Sequence, residues 1–350
     1  MLEISGKEGL FLRFLLPLDE RINIKLLLRV WGPRFELVVR LILVASFLDD
    51  SFRIASHFPE HTKQIGEQGC LIWMMEMFPE IARSIATAVV GLGLTIQVFG
   101  SLCLLALIQP DIATKALIGW TIAQPVLYKQ IENVEFIAES LSLTGGLFMM
   151  YARIISEREK RDDTIVNSSK TVRERGMTRK WIAQMQLLGR LLLPVLYLYR
   201  AGLIVLSMFD HTLSKTVINA VMLCYLILSS TLVATGLRSR TIALVLALAN
   251  LGYIFCMYPF MRFVLLDNGE WKFDETELRK YPIPHAALPI NTSPNDFELW
   301  QIYDLHRYYF FHGLSVSGAL LLLTQFGPGK IAVEENEPLL PIAVVQRAQD

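Results

Sequence analysis

Charged residues are scarce in this chain. They make up 19% of its 350 residues, against roughly 25% in soluble domains. The 33 Lys and Arg are matched by 33 Asp and Glu, so the formal net charge is zero and total charge gives no sign of a nucleic-acid partner. Cysteine is scarce too: Cys103, Cys224 and Cys256 lie in apolar runs and only Cys70 in a polar connection. None has metal-ligand spacing, and a disulfide-stapled extracellular scaffold is not expected. No phosphate-binding glycine loop, haem-ligand pair or nucleophile elbow is present, so no catalytic residue, cofactor or metal is expected, and the chain reads as a non-enzyme. A signal peptide is also not expected. The apolar stretch Leu10 to Leu18 is broken by Arg13 and Pro17, and no small-residue cleavage site follows. Residues 10–31 mix Phe, Leu and Ile with Arg21, Lys25 and Arg29, the pattern of an amphipathic segment on a membrane surface.

Apolar residues are abundant: 53% of the chain, with a mean hydropathy of +0.41. They gather in long runs, and spanning a bilayer takes about 20 apolar residues as a helix. The expectation is an all-α polytopic membrane protein with about eight spans, at 36–56, 84–108, 111–128, 134–152, 187–209, 216–236, 241–265 and 308–326. Lys and Arg concentrate in alternate connections, nine of them in 153–186 alone. By the positive-inside rule those connections, and both termini, are cytosolic.

Two halves of the chain open and close alike. Arg40-Leu41-Ile42-Leu43, followed by Phe47-Leu48, recurs as Arg190-Leu191-Leu192-Leu193, followed by Tyr197-Leu198. Leu141-Ser142-Leu143-Thr144-Gly145-Gly146-Leu147 recurs as Leu314-Ser315-Val316-Ser317-Gly318-Ala319-Leu320. A four-helix unit enters and leaves the membrane on one side, so two such units form a parallel repeat. The expected organisation is an amphipathic segment 1–35, a first repeat 36–152, a charged linker 153–186 that reads as solvated and flexible, a second repeat 187–326 holding the lumenal loop 267–307, and a tail 327–350.

Charge inside the spans is the strongest functional signal, because ionisable groups at bilayer depth face partners or cavities. Asp49 and Asp50 lie four and three residues before Arg53, so one helical face can pair them. Glu135 and Glu139 stand one turn apart at the far-side end of the fourth span. Two readings stand: ion pairs that fix packing, and an acidic pocket at the lumenal mouth of the first bundle, suited to a cationic group such as a free α-amino terminus. The loop 267–307 carries eight carboxylates against four basic residues, interleaved with aromatics, and is a candidate binding surface. His57-Phe58-Pro59-Glu60-His61 has the H-x-x-E-H form of a zinc protease helix, but Pro59 stands between the histidines and argues for a loop. Asn291-Thr292-Ser293 is a glycosylation candidate. Glu335 with Leu339-Leu340 fits a loose acidic-dileucine sorting pattern.

These residues resemble the Surfeit locus protein 4 family of endoplasmic reticulum cargo receptors over about 34–333. The likeness rests on Val39-Arg40-Leu41, Phe47-Leu48-Asp49-Asp50 with Arg53, Phe136 through Gly146, Gln186-Leu187-Leu188-Gly189-Arg190, Tyr309-Phe310-Phe311 with Gly318, and Phe326-Gly327-Pro328-Gly329-Lys330. The repeated Arg-Leu opening is similar to bacterial DoxX-like four-helix proteins. The resemblance implies a receptor that binds soluble secretory proteins in the lumen, loads them into COPII vesicles and cycles between endoplasmic reticulum and Golgi. Implied partners are secretory cargo, COPII and COPI coat components and membrane lipids, with a homo-oligomer also compatible. Family members commonly end in a dilysine retrieval signal, whereas this chain ends Gln346-Arg347-Ala348-Gln349-Asp350. The alternative function is a lipid or small-solute transporter that uses the seam between the repeats.

Overall fold

The computed structural model describes residues 24–164, 172–208, 213–267, 270–281 and 298–333. Its helices are α1 (Ile24–Ser56), α2 (Phe58–Lys63), α3 (Ile72–Met77), α4 (Pro79–Ala106), α5 (Pro110–Leu127), α6 (Val134–Thr164), α7 (Val172–Leu192), α8 (Val195–Ser207), α9 (Leu213–Thr235), α10 (Ser239–Met257), α11 (Glu275–Lys280) and α12 (Leu299–Phe326). A π-helical turn, Gln64–Gln68, links α2 to α3. Strands β1 (Val264–Asp267) and β2 (Glu270–Phe273) pair antiparallel, Val264 opposite Phe273. Local sequence sets the helix starts: α4 and α5 each open on a proline, whose fixed φ suits the first turn. A capping box between Glu298 and Gln301 starts α12.

Among the described residues, five stretches are long and apolar enough to cross a membrane: Pro79–Ala106, Gly176–Ser207, Thr216–Thr235, Ser239–Phe263 and Leu299–Phe326. The protein is an all-α polytopic membrane protein. The other expected spans, 36–56, 111–128 and 134–152, coincide with α1, α5 and α6, which are helical but less apolar. Asp49, Asp50 and Arg53 interrupt α1, Glu135 and Glu139 interrupt α6, and α5 carries Asp111, Lys115 and Pro125. The connection 153–186 is mostly helix rather than flexible linker: α6 runs on to Thr164 and α7 starts at Val172. Glu, Lys and Arg are good helix formers. Arg153 pairs with Glu157 one turn on, and Arg179 reaches Glu159 across the two helices at 3.3 Å. Asn167, Ser168 and Ser169 lie outside the described residues.

The core runs along α12. Of its most apolar stretch 78% is buried, against 22% for α9. Helix α12 packs on α1, α6 and α10, while α6 packs on α5, α7 and α8. Leu92, Phe99 and Leu102 on α4 and Val217, Ile218 and Val221 on α9 face outward, as lipid contact requires.

The recurring sequence motifs make comparable close contacts. A Cβ on Gly145 would stand 2.7 Å from the Gly189 carbonyl oxygen and 2.8 Å from the Leu193 nitrogen; one on Gly318 would stand 2.6 Å from the Leu43 nitrogen. Only glycine permits either approach. Ser142 donates to the Leu193 carbonyl at 2.6 Å, and Ser315 to the Ile42 carbonyl at 3.1 Å. Ser315 also accepts from the Ser46 amide at 2.9 Å, which inserts a hydroxyl into the α1 ladder. At the matching point the other helix breaks between α7 and α8, where Pro194 has no amide to give. Arg40 donates to the Leu105 carbonyl near the end of α4 (3.4 Å), Arg190 to the Ala234 carbonyl near the end of α9 (3.0 Å). Leu107 and Gln109, and then Gly236 and Arg238, take left-handed conformations in the following turns.

Candidate binding site

Helix geometry decides which intramembrane charges meet. Successive residues on a helix point about 100° apart, so Asp49 and Asp50 separate. Asp50 pairs with Arg53 at 2.5 Å and accepts from Gln124 of α5 at 3.2 Å. Asp49 instead accepts from Arg307 of α12 at 2.6 Å. The sequence expectation that one face pairs both aspartates with Arg53 therefore holds by direct contact for Asp50. Arg53 also lies 3.9 Å from Asp304 of α12, and its guanidinium stands 5.2 Å from the Tyr308 ring centroid. Tyr308 donates to Glu139 at 3.4 Å. Arg307 packs over the Phe52 ring at 5.1 Å.

These groups surround a cavity of about 420 Å³ at the end of the bundle where α1 finishes and α6 and α12 begin. That volume falls within the range of small-ligand sites, about 300–1,000 Å³. Its walls include Arg53, Gln124, Tyr128, Glu139, Asp304 and Tyr308, with Trp300 at the start of α12. Of the sequence candidates, Arg53 and Glu139 line it directly and Asp50 stands behind Arg53. Asp49 is held away by Arg307, and Glu135 is not among the lining residues. Glu135 instead shares its surroundings with Glu139, Arg200 of α8 and His312 of α12. Two carboxylates, Asp50 and Asp304, thus attend the Arg53 guanidinium, and Glu139 lines the same cavity through its contact with Tyr308. Among the described residues, the buried wall atoms with no hydrogen-bond partner are Arg53 Nε, His61 Nδ1 and the Tyr128 hydroxyl. Buried polar atoms of this kind are satisfied in native proteins by some partner.

Short elements outside the spanning helices close the rim. The H-x-x-E-H segment is not a loop: α2 starts at Phe58, with Pro59 in its first turn, where a missing amide does no harm. His57 is left outside the helix and stacks on Trp300, 4.9 Å between centroids. His61 meets the Tyr128 ring edge-on at 5.9 Å. Burial, and next the positive charge of Arg53, lower the His61 pKa below its ordinary value. Among the described residues, no group of three His, Cys, Asp or Glu is placed to hold a metal.

Sequence reasoning overlooked Asp304, Arg307, Gln124 and Tyr128. The last span was expected from 308, whereas α12 starts at Leu299, two to three turns earlier. Its capping box, Glu298 with Gln301, is the local signal that marks the true start. Asn291, Glu335, Leu339 and Leu340 lie outside the described residues.

The model of the SURF4 family matches residues 24–264. Among curated proteins, the ER-derived vesicles protein ERV29 of Saccharomyces cerevisiae is 23% identical over 310 residues, covering 88% of this chain and 78% of the relative. The Surfeit locus protein 4 homolog of Drosophila melanogaster is 22% identical over 300 residues, covering 86% and 88%. No solved structure matches the chain. With most of its length matched by the family model, the chain belongs to the SURF4 family.

Proposed function

We propose that this protein is a cargo receptor that binds soluble secretory proteins in the lumen of the endoplasmic reticulum and loads them into COPII vesicles bound for the Golgi, with COPI-dependent return. Family membership supports this reading, as does the relative whose name places it in ER-derived vesicles. In this reading eight helices span the bilayer and both termini are cytosolic. The carboxylate-rich cavity then opens to the lumen, and the basic connection 153–186 faces the coat. The matched glycine, serine and arginine contacts of the two halves support two parallel four-helix repeats, 36–152 and 187–326. Segments 1–35, 153–186 and 327–350 flank and join them.

The single observation that carries the proposed site is the cavity itself. Glu139 and Asp304 line a space of about 420 Å³ beside one already paired cation, Arg53. An excess of carboxylate in a partly desolvated wall favours a cationic group, and a protein's free α-ammonium is one that every signal-cleaved cargo carries. Cargo engagement is therefore assigned to Glu139 and Asp304, with Asp50 and Arg53 setting the local charge, and Asp49 and Glu135 holding the surrounding helices. The test is replacement of both lining carboxylates by their amides, Glu139→Gln with Asp304→Asn, in cells lacking the native protein. Selective intracellular retention of soluble clients, with normal receptor abundance and location, is expected. Normal secretion of every client would remove the cavity from cargo binding.

A second reading rests on the polar groups that continue into the seam. Glu139, Arg200 and His312 lie near one another between the halves, and buried Asn250 donates to Ser317 at 2.8 Å. Such a strip would suit passage of a lipid or small solute. Uptake or scrambling by the purified protein in liposomes would favour it over the receptor reading.

A further inference from the structure

The opposite end of the bundle holds a second cavity, of about 460 Å³, that cargo binding does not use. Its polar walls are Glu159 and Lys160 at the end of α6, Arg179 and Gln186 of α7, Arg240 of α10, and Lys330 beyond α12. One carboxylate stands among four cations, and that carboxylate is engaged by Arg179 at 3.3 Å. Close by, Arg190 is 2% exposed and spends its donors on the carbonyls of Ala234, Pro328 and Ile331. Among the described residues no carboxylate pairs with it. Among the described lining residues, cations outnumber carboxylates four to one.

The cavity is built by the segment Phe326-Gly327-Pro328-Gly329-Lys330, whose glycines both take positive φ, 79° and 84°. A side chain at Gly327 would collide with the Arg240 guanidinium, and one at Gly329 with the Gln186 amide. The turn is thereby folded directly over two of the polar lining groups, and its last residue adds Lys330 to the rim. Ile182 and Phe326 supply an apolar side to the same space. The membrane-crossing stretches end here, Leu299–Phe326 at Phe326 and Ser239–Phe263 at Ser239, which puts the cavity at headgroup depth.

We propose that this cavity is a binding site for the phosphorylated headgroup of an anionic phospholipid. Basic pockets between membrane helices attract such headgroups through charge-assisted hydrogen bonds and the negative potential of the leaflet. An apolar wall beside a cationic one suits an amphiphile better than a fully soluble anion. The site does not depend on the cargo cavity, which lies at the other end of α6 and α12.

The experiment uses the full-length protein, purified in detergent, with short-chain phosphatidylinositol 4-phosphate as probe and binding read by native mass spectrometry and by ligand-induced thermal shift. Short-chain phosphatidylinositol, lacking the added phosphate, and soluble inositol 1,4-bisphosphate are the comparisons. Lys160 and Lys330 are both exposed, so Lys160→Gln with Lys330→Gln leaves the packed core intact, and Lys63→Gln at the opposite end is the control. The phosphorylated lipid is expected to bind more tightly than either comparison. The double variant should weaken it about 30-fold, about fivefold per lysine, and Lys63→Gln should leave it unchanged. Inositol bisphosphate binding as tightly as the lipid, with the same loss in the double variant, would support the phosphate site and make its source soluble. Equal binding of the phosphorylated and unphosphorylated lipids would overturn the proposal, as would no difference between native protein and double variant. If the double variant also unfolds early without ligand, Lys160→Gln and Lys330→Gln measured singly decide the same question.

Discussion

Asp49 and Asp50 are adjacent in sequence and serve different helices, because one step along α1 turns the side chain by about 100°. Asp50 holds Arg53 at the cavity, while Asp49 ties α1 to α12 through Arg307 at 2.6 Å. Both members of the second pair are largely withdrawn from solvent, 14% and 8% exposed. Removing one charge strands the other, at a loss of about 3 kcal/mol. Asp49→Asn should therefore lower the unfolding temperature of the purified protein, and the exchanged pair Asp49→Arg with Arg307→Asp should recover part of the loss. An unchanged midpoint for Asp49→Asn would show that the pair contributes no stability. His61 gives a second prediction at this scale. Its folded pKa lies below the unfolded value of about 6.5. The unfolded state therefore takes up the proton first, and stability falls as the pH drops below about 6.5 toward the folded pKa, by up to about 1.4 kcal/mol per pH unit. Thermal midpoints between pH 7 and 5 should decline less steeply for His61→Gln than for the native protein. Parallel declines would mean that His61 is not buried as described.

At the scale of elements, the fold depends on two close helix crossings. Gly318 brings α12 against α1, and Gly145 brings α6 against α7. The listener to both crossings is a serine three residues earlier in each helix, Ser315 and Ser142, whose hydroxyls bond main-chain carbonyls of the partner. Apolar packing alone gives little net attraction between helices in lipid, so small residues and interhelical hydrogen bonds carry the specificity. Gly318→Val should push α12 away from Ile42 and Leu43 and destabilise the protein by about 3 kcal/mol. Loss of the monodisperse peak in fluorescence-detected size-exclusion chromatography would register it. A valine variant that elutes and melts like the native protein would contradict the crossing. The segment 153–186 shows the limit of reading charge as disorder: the same Glu, Lys and Arg that suggest a solvated tether are strong helix formers, and α6 and α7 extend well into it.

At the scale of the whole molecule, α12 packs on α1 and α6 on α7, and the carboxylate cavity lies where α12 covers α1 and α6. The helical membrane architecture was legible from apolar runs, and Asp50, Arg53 and Glu139 were legible because charge stands out in such runs. Asp304 and Arg307 were not, since they sit in a connection already rich in charge and their helix starts before its apolar part. Gln124 and Tyr128 carry no charge, and only the fold brings them beside Asp50 and Arg53. A cavity shared among α1, α5, α6 and α12 is invisible to any pattern read along one helix. Its proposed role depends on an α-ammonium meeting Glu139 and Asp304. The most direct measurement is binding of a client's N-terminal peptide to the purified protein, with the amino terminus free or acetylated, for the native chain and for Glu139→Gln with Asp304→Asn. The account predicts that acetylation and the double substitution each weaken binding at least tenfold, and that acetylation has little further effect on the double variant. Equal binding of free and acetylated peptides to the native protein would contradict it.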